Sequence, residues 1–158
     1  MHVRSYQDSD LELLVRLFMA SVHELAAPFY NEAQRAAWAP ASPDRPAWSA
    51  RLGAGTLVAA ADGDPKPLGF LLHDHAGYVD LLYVAPTAAR LGVASALLEA
   101  ALATWIARGV VRSHTEASLA ARAFFERHGY RVVETQHVER AGQTLSRFCM
   151  ERLLIPTP

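Results

Sequence analysis

Val84-Ala85-Pro86-Thr87-Ala88-Ala89-Arg90-Leu91-Gly92-Val93-Ala94-Ser95-Ala96-Leu97-Leu98 leaves an apolar run, passes a proline and enters a helical pattern through one glycine. Just before it, Tyr78-Val79-Asp80-Leu81-Leu82-Tyr83-Val84 reads as a strand, rich in branched and aromatic residues and punctuated upstream by Gly77. Asp80 is out of place there, because acidic residues are disfavoured in strands. Beyond the loop, only Ser95, Glu99, Thr104 and Arg108 are polar between positions 95 and 108. That pattern predicts a helix buried on most sides against a sheet. Gly109 suits its C-terminal cap, and Val110-Val111 the start of the next strand.

The order strand, loop, helix places the backbone N–H groups of Arg90 to Ser95 at a helix N-terminus. Those groups lack internal partners and the helix dipole is positive there, a setting that suits phosphate. Small residues at Gly92, Ala94 and Ser95 would let an anion approach the backbone, and Arg90 could add charge. An ordinary strand-to-helix turn has the same outline, however. Neither Gly-x-Gly-x-x-Gly nor a Gly-Lys-Ser/Thr triplet is present.

Working outward, His2 to Tyr6 fits a short first strand, and Asp8-Ser9-Asp10 supplies helix-starting side chains. Leu11, Leu14, Val15, Phe18, Val22, Leu25 and Ala26 then recur at helical spacing, up to Pro28. Residues 28 to 53 combine four prolines with Phe29, Tyr30, Trp38 and Trp48, predicting short helices joined by turns. These rings read either as packing under a loop or as the wall of a substrate pocket. Thr56–Ala61 and Leu68–Leu72 flank a turn at Asp62-Gly63-Asp64-Pro65 and predict a hairpin. Ser118 is placed to cap a helix whose Ala121, Phe124 and Phe125 share a face, with Gly129 closing it. Tyr130–Arg140 and Thr144–Leu153 flank Ala141-Gly142-Gln143 as a C-terminal hairpin. Hairpins together with crossovers predict a single α/β (α+β) domain, residues 1–158, around a mixed sheet.

Composition narrows the partners. The chain has 158 residues, about half of them apolar, and a formal net charge of −1. Such a charge gathers neither nucleic acid nor anionic membrane, so neither is an expected partner. Cys149 is the only cysteine, which excludes an internal disulfide and a thiolate metal cage. His73 and His75 form the one close histidine pair, without a third ligand, so no metal is expected. No apolar run is long enough to span a bilayer and no signal-peptide pattern opens the chain. The expected compartment is the cytoplasm.

The opening stretch resembles the acyl-CoA loop of the GCN5-related N-acetyltransferases, whose Gln/Arg-x-x-Gly-x-Gly/Ala signature follows the fourth strand. The match is Ala89-Arg90-Leu91-Gly92-Val93-Ala94, with alanine in place of the first signature residue. Ser118-Leu119-Ala120-Ala121-Arg122-Ala123-Phe124-Phe125-Glu126-Arg127-His128-Gly129-Tyr130 resembles that family's Asn-x-x-Ala-x-x-Phe-Tyr-Glu-x-x-Gly-Phe pattern. The spacing of the two motifs agrees with the family layout, and the resemblance covers essentially the whole chain. More loosely, the opening residues and the Trp38 region are similar to a bacterial branch called YafP-like.

The resemblance implies a mixed, mostly antiparallel sheet of about six or seven strands flanked by helices. It further implies acetyl transfer from acetyl-CoA to an amine by direct attack in a ternary complex. The cofactor would lie against Leu82, Tyr83, Val84, Arg90, Leu91, Gly92, Val93, Ala94, Ser95, Ser118 and Phe125. An oxyanion-stabilising N–H would come from a bulge around Leu82 or Tyr83. Asp80 is the expected base, with Tyr78 on the same strand face as the alternative register. Glu116 and His114, just past the next strand, are weaker candidates, and an ion pair with an arginine is the other reading of Asp80. Phe125 stands where many relatives carry a tyrosine acid, and phenylalanine cannot donate a proton. A thiol of pKa about 8.5 leaves as thiolate at neutral pH for about 2 kcal/mol, a burden that water, Ser118 or Tyr130 could relieve.

Near-neutral charge and the rings Phe29, Tyr30 and Trp38 favour a small-molecule amine as acceptor. A protein N-terminus or lysine is the next option, and a CoA-binding sensor that has lost catalysis is another. The C-terminal strand, with Leu145, Phe148, Met150 and Leu153, could pair across a homodimer or simply finish the sheet.

Overall fold

The computed structural model describes residues 1–155. Strand β1 (His2–Ser5) leads through a turn at Asp8–Asp10 into helix α1 (Leu11–Ala20), which continues as one π-helical turn, Ser21–Leu25. Helices α2 (Glu32–Trp38) and α3 (Arg45–Leu52) follow, each started by a capping side chain. Asn31 Oδ1 accepts from the Gln34 N–H at 2.8 Å, and Asp44 Oδ1 from the Ala47 N–H at 3.1 Å. The rest of the chain runs β2 (Thr56–Ala60), β3 (Pro67–His73), β4 (Tyr78–Val84), α4 (Val93–Ala107), β5 (Arg112–Ser118), α5 (Arg122–Arg127), β6 (Arg131–Arg140) and β7 (Gln143–Leu153).

The seven strands form one sheet in the order β1-β2-β3-β4-β5-β7-β6. Every neighbouring pair is antiparallel except β4–β5, which is parallel and therefore needs the long crossover that α4 supplies. The mixed, mostly antiparallel sheet flanked by helices is as expected from the sequence.

Both faces of the sheet are covered, which is why β3 is apolar almost throughout. Ala59, Leu71 and Val79 face a cluster built on Leu97, Leu98, Ala101 and Trp105 of α4. Val58, Phe70, Leu72 and Leu81 face the other way, onto Leu14, Leu17 and Phe18 of α1 and Leu52 of α3. A Cβ at Gly69 would lie 2.7 Å from Val93 Cγ1 and 2.9 Å from Tyr83 O. Only glycine lets the first turn of α4 approach β3 this closely.

Two features of β4 and β5 shape the site. Leu81 pairs with Leu72 and Val79 with His73, so Asp80 is the extra residue of a β-bulge. The parallel pairing of β4 with β5 is confined to Tyr78 with His114 and Val79 with Thr115. Beyond that point β5 stays with β7, through Glu116, Ala117 and Ser118, while β4 departs with β3. The two strands open into a wedge.

Several local expectations shift. Helix α4 begins at Val93 and buries one face only, since Glu99, Ala103, Thr104 and Ile106 are exposed. Strand β5 starts at Arg112, so Glu116 and His114 lie within it. The final connection is two residues, Ala141 and Gly142, both at positive φ, as a tight hairpin requires. Strand β7 is paired on both sides, which removes it as a strand that could pair across a homodimer.

Candidate functional site

The bulge and wedge open onto a cavity of 320 Å³. Strand β4 contributes Tyr78, Asp80, Leu81 and Tyr83, and β5 contributes Glu116 and Ser118. Alternation explains the second pair: Ser113, Thr115 and Ala117 are buried while His114, Glu116 and Ser118 face the open side. Rings from the helical segments close the wall. Phe18 meets Tyr83 edge-on at 4.9 Å and Trp48 at 4.8 Å, and Tyr30 meets Trp38 edge-on at 5.4 Å.

The polar atoms of Trp38, Tyr83 and Tyr30 have partners. Trp38 Nε1 donates to the Tyr83 hydroxyl at 3.2 Å. Burial pushes the Tyr83 phenol up to about 12, against the opposing effect of that hydrogen bond, so it is neutral at physiological pH. The Tyr30 hydroxyl donates to Ser146 O at 2.6 Å and accepts from the Leu119 N–H at 2.9 Å, tying the wall to the end of β5 and to β7.

Asp80 is held by Arg51 at the C-terminal end of α3: Nη2 donates to Oδ1 at 2.8 Å and Nε to Oδ2 at 3.1 Å. This hydrogen bond is the main cause that holds the Arg51 guanidinium above its ordinary value, against partial burial. The ion-pair reading of Asp80 is therefore realised, and in the same cavity as the catalytic reading needs. Beside it the Tyr78 hydroxyl donates to Glu116, closing the wedge at its vertex. Burial, then the Glu116 hydrogen bond, raise the Tyr78 phenol. The Tyr78 ring also packs on His114 at 5.0 Å.

The loop lies at the other end of β4. After a turn at Pro86–Ala88, Arg90 adopts φ 62 and Gly92 φ 80 before α4 begins at Val93. The first bond of that helix runs from the Ala96 N–H to Gly92 O at 3.0 Å. The N–H groups of Val93, Ala94 and Ser95 thus have no intrahelical acceptor. Arg90, Leu91 and Gly92 are exposed, and a Cβ on Gly92 would meet nothing within 4 Å. Leu82, Tyr83 and Val84 occupy the stretch of β4 that has left β5.

Not every expected residue reaches the cavity. Ser118 does, but it ends β5 and closes the turn before α5, its Oγ accepting from the Ala121 N–H at 3.2 Å. Tyr130 and Phe125 are 3% and 2% exposed and pack edge-on at 5.0 Å in the core under α4. The Tyr130 hydroxyl is joined to Ser113 Oγ at 2.6 Å, which is five residues, or about 16 Å of strand, from Ser118. Neither Tyr130 nor Phe125 lines the cavity, and Phe29 is half-exposed outside it. Tyr30 and Trp38 do line it. Trp48, one of the rings read as a possible pocket wall, lines it as well, and so do Arg51, Arg140 and Arg147, which the sequence did not single out. The aromatic density around Trp38 pointed toward Trp48, and an acid in a strand called for a cation, but nothing local identified which one.

Among the described residues, no group of three or more His, Cys, Asp or Glu is arranged to hold a metal ion. His73 Nδ1 lies 2.8 Å from Asp74 O, and His75 Nδ1 lies 2.9 Å from Arg108 Nη1. No helix among the described residues is long and apolar enough to cross a membrane.

Residues 26–152 match the model of the acetyltransferase (GNAT) domain family. The chain is 35% identical over 153 residues to the uncharacterized N-acetyltransferase YafP of Escherichia coli (strain K12), covering 94% of this chain and 93% of that protein. Among solved structures, a GCN5-related N-acetyltransferase from Rhodopseudomonas palustris superposes with a TM-score of 0.90 at 32% identity, covering 96% of this chain and 94% of the other. The PaiA N-acetyltransferase from Thermoplasma acidophilum, solved in complex with coenzyme A, superposes with a TM-score of 0.77 at 18% identity, over 96% of this chain and 98% of that one.

Proposed function

Since this chain belongs to the GNAT acetyltransferases and is an acyl-CoA-dependent acetyltransferase, we propose that it acetylates the amine of a small molecule held in the aromatic cavity, with residues 1–158 as one catalytic unit. The observation that carries this reading is the coincidence of the 320 Å³ cavity with the Asp80 bulge and the β4–β5 wedge. A cavity of that size, walled by rings with charged groups set among them, suits a compact acceptor better than a protein surface.

Acetyl-CoA supplies the acetyl group and a thiol leaving group. The free N–H groups of Val93, Ala94 and Ser95, with exposed Arg90, Leu91 and Gly92, form a cradle for its pyrophosphate. Gly92 leaves open space toward that cradle, which fits an anion resting on the backbone. Leu82, Tyr83 and Val84 border the wedge, where an open β4 backbone N–H can stabilise charge on the thioester oxygen.

Asp80 accepts the proton of the attacking amine. A nitrogen–carbon bond forms, the carbon–sulfur bond breaks, and the thiolate takes its proton from solvent. No protein acid is needed, because the thiolate costs only about 2 kcal/mol at neutral pH. Ser118, which lines the cavity, donates a hydrogen bond to the leaving sulfur. Tyr30 and Trp38 hold the acceptor's apolar part.

The test is a thiol-release assay with acetyl-CoA and two panels, one of small amines and one of peptides with free N-termini or lysines. Faster release with small amines supports the reading. Release with peptides alone overturns it.

A further inference from the structure

The charged residues around the cavity are unequally matched. Asp44 caps α3, Asp80 is forked by Arg51, and Glu116 accepts the Tyr78 hydroxyl, so each carboxylate has a partner. The cavity's other two cations come from the β6–β7 hairpin, and they are barely used. Arg147 spends only its Nε, which donates to Gln136 Oε1 at 2.9 Å. Arg140 lines the cavity with no hydrogen-bond or ion-pair partner among the described residues.

Unspent guanidinium donors beside an aromatic wall have a chemical consequence. A purely apolar amine filling this cavity would strip water from the partly buried Arg147 and give nothing back, which is costly for a charge, while exposed Arg140 adds a second, hydrated cation. A carboxylate replaces the lost water with charge-assisted bonds, for which the guanidinium fork is shaped. The polarity is also directional. The carboxylates Asp80 and Glu116 stand on β4 and β5, and the free cations on the hairpin beyond β5. Regular strand spacing sets β7, which carries Arg147, about 10 Å from β4 and β6, which ends at Arg140, about 14 Å from it, and the wedge widens both at Asp80; the long arginine side chains reach back across that span.

We propose that the acceptor is an amino acid: a primary amine on an apolar or aromatic skeleton that also carries a carboxylate. Its amine points to Asp80 and its carboxylate to Arg140 and Arg147. This rests on the reading of the cavity as a small-amine site, and goes further by naming the second functional group.

The experiment compares matched pairs that differ only in the carboxylate: phenylalanine with 2-phenylethylamine, and leucine with 3-methylbutylamine. Each is offered with acetyl-CoA while free thiol is followed. In at least one pair the amino acid should exceed its decarboxylated partner in kcat/KM by about tenfold or more. Arg147→Gln and Arg140→Gln should each narrow that ratio, chiefly by raising KM for the amino acid. A ratio near one, or an equal loss on both members of a pair in Arg147→Gln, overturns this inference and leaves the small-amine reading standing. Thiol release with no small amine, from protein whose melting temperature still rises with CoA, overturns the small-amine reading and this inference together.

Discussion

Arg51 grips Asp80 by both arms, Nη2 to Oδ1 at 2.8 Å and Nε to Oδ2 at 3.1 Å, across 29 residues of sequence. The pair is partly open to solvent, with side chains 48% and 28% exposed. It therefore contributes about 0–1 kcal/mol to folding, and its use is positional. Asp80→Asn keeps the shape and removes the proposed proton acceptor, so kcat should fall about 100-fold with little change in melting temperature. Arg51→Gln leaves the carboxylate in place but loosened, and should cost about tenfold or less. Steady-state kinetics on both variants check this. An Asp80→Asn enzyme that keeps about a third of its kcat would hand the base to Glu116.

At Gly92 the backbone is left-handed, φ 80, and a side chain would point into open space. Gly92→Ala therefore carries only the conformational cost, about 1–2 kcal/mol. Gly92→Asp carries the same cost and adds a negative charge where phosphate is proposed to rest. CoA affinity by calorimetry should drop at least about 100-fold in Gly92→Asp and far less in Gly92→Ala. Ala89→Gln, outside the N-terminal turn of α4, should bind normally. Full affinity in Gly92→Asp would remove the loop as the pyrophosphate site.

These two sites differ in how far they could be read from sequence. The run from Tyr78 to Leu98 is a local pattern, so its strand, loop and helix were legible within a residue or two. Arg51 was not, because a partner 29 positions away leaves no mark on either neighbourhood. The bulge that the resemblance implied around Leu82 or Tyr83 falls at Asp80 instead, since a register shift between β3 and β4 depends on both strands at once. Phe29 and Tyr30 show the limit at single-residue scale. They are adjacent in one turn, yet Tyr30 is buried by its ties to Ser146 and Leu119 while Phe29 is half-exposed. Tyr130 was misplaced for a related reason: motif spacing gave its position along the chain, and the packing of β6 on the core turned its hydroxyl to Ser113.

The contact at Gly69 links stability to the loop. A methyl group there would collide with Val93 Cγ1 at 2.7 Å and with the Tyr83 carbonyl at 2.9 Å. The Val93 contact is relieved only if α4 moves, and the carbonyl contact only if β4 shifts against β3. Gly69→Ala should destabilise the protein by about 1–3 kcal/mol in urea titrations and weaken CoA binding as well, because Val93 opens the helix of the proposed cradle. Unchanged stability would mean that the helix is free to slide.

Asp10 governs acid stability. Burial alone would raise its carboxyl, but two hydrogen bonds from Arg4, each at 2.8 Å, and one from the Gln7 N–H at 2.9 Å hold it below the ordinary carboxylate value. A carboxyl lowered on folding contributes stability above its unfolded pKa, about 3.9, and loses it as pH falls through the folded value. Asp10→Asn should therefore cost about 1–3 kcal/mol at pH 7, with the gap to wild type closing below about pH 4. Urea titrations across that range measure it. A gap that stays constant would show that the pair's charge is irrelevant to folding.

Phe125 tests whether this enzyme needs a protein acid at all. Its ring is 2% exposed, edge-on to Phe124 at 5.2 Å and to Tyr130 at 5.0 Å, in the core rather than on the cavity wall. A hydroxyl introduced there enters an apolar cluster already packed without it, and an unpaired buried hydroxyl costs about 1–3 kcal/mol. The thiolate, in contrast, gains at most the roughly 2 kcal/mol that protonation could return at neutral pH. Phe125→Tyr should therefore lower the melting temperature and change kcat by less than about tenfold. A gain of several hundredfold at unchanged stability would mean that the new hydroxyl reaches the sulfur, and that loss of this acid limits the natural enzyme.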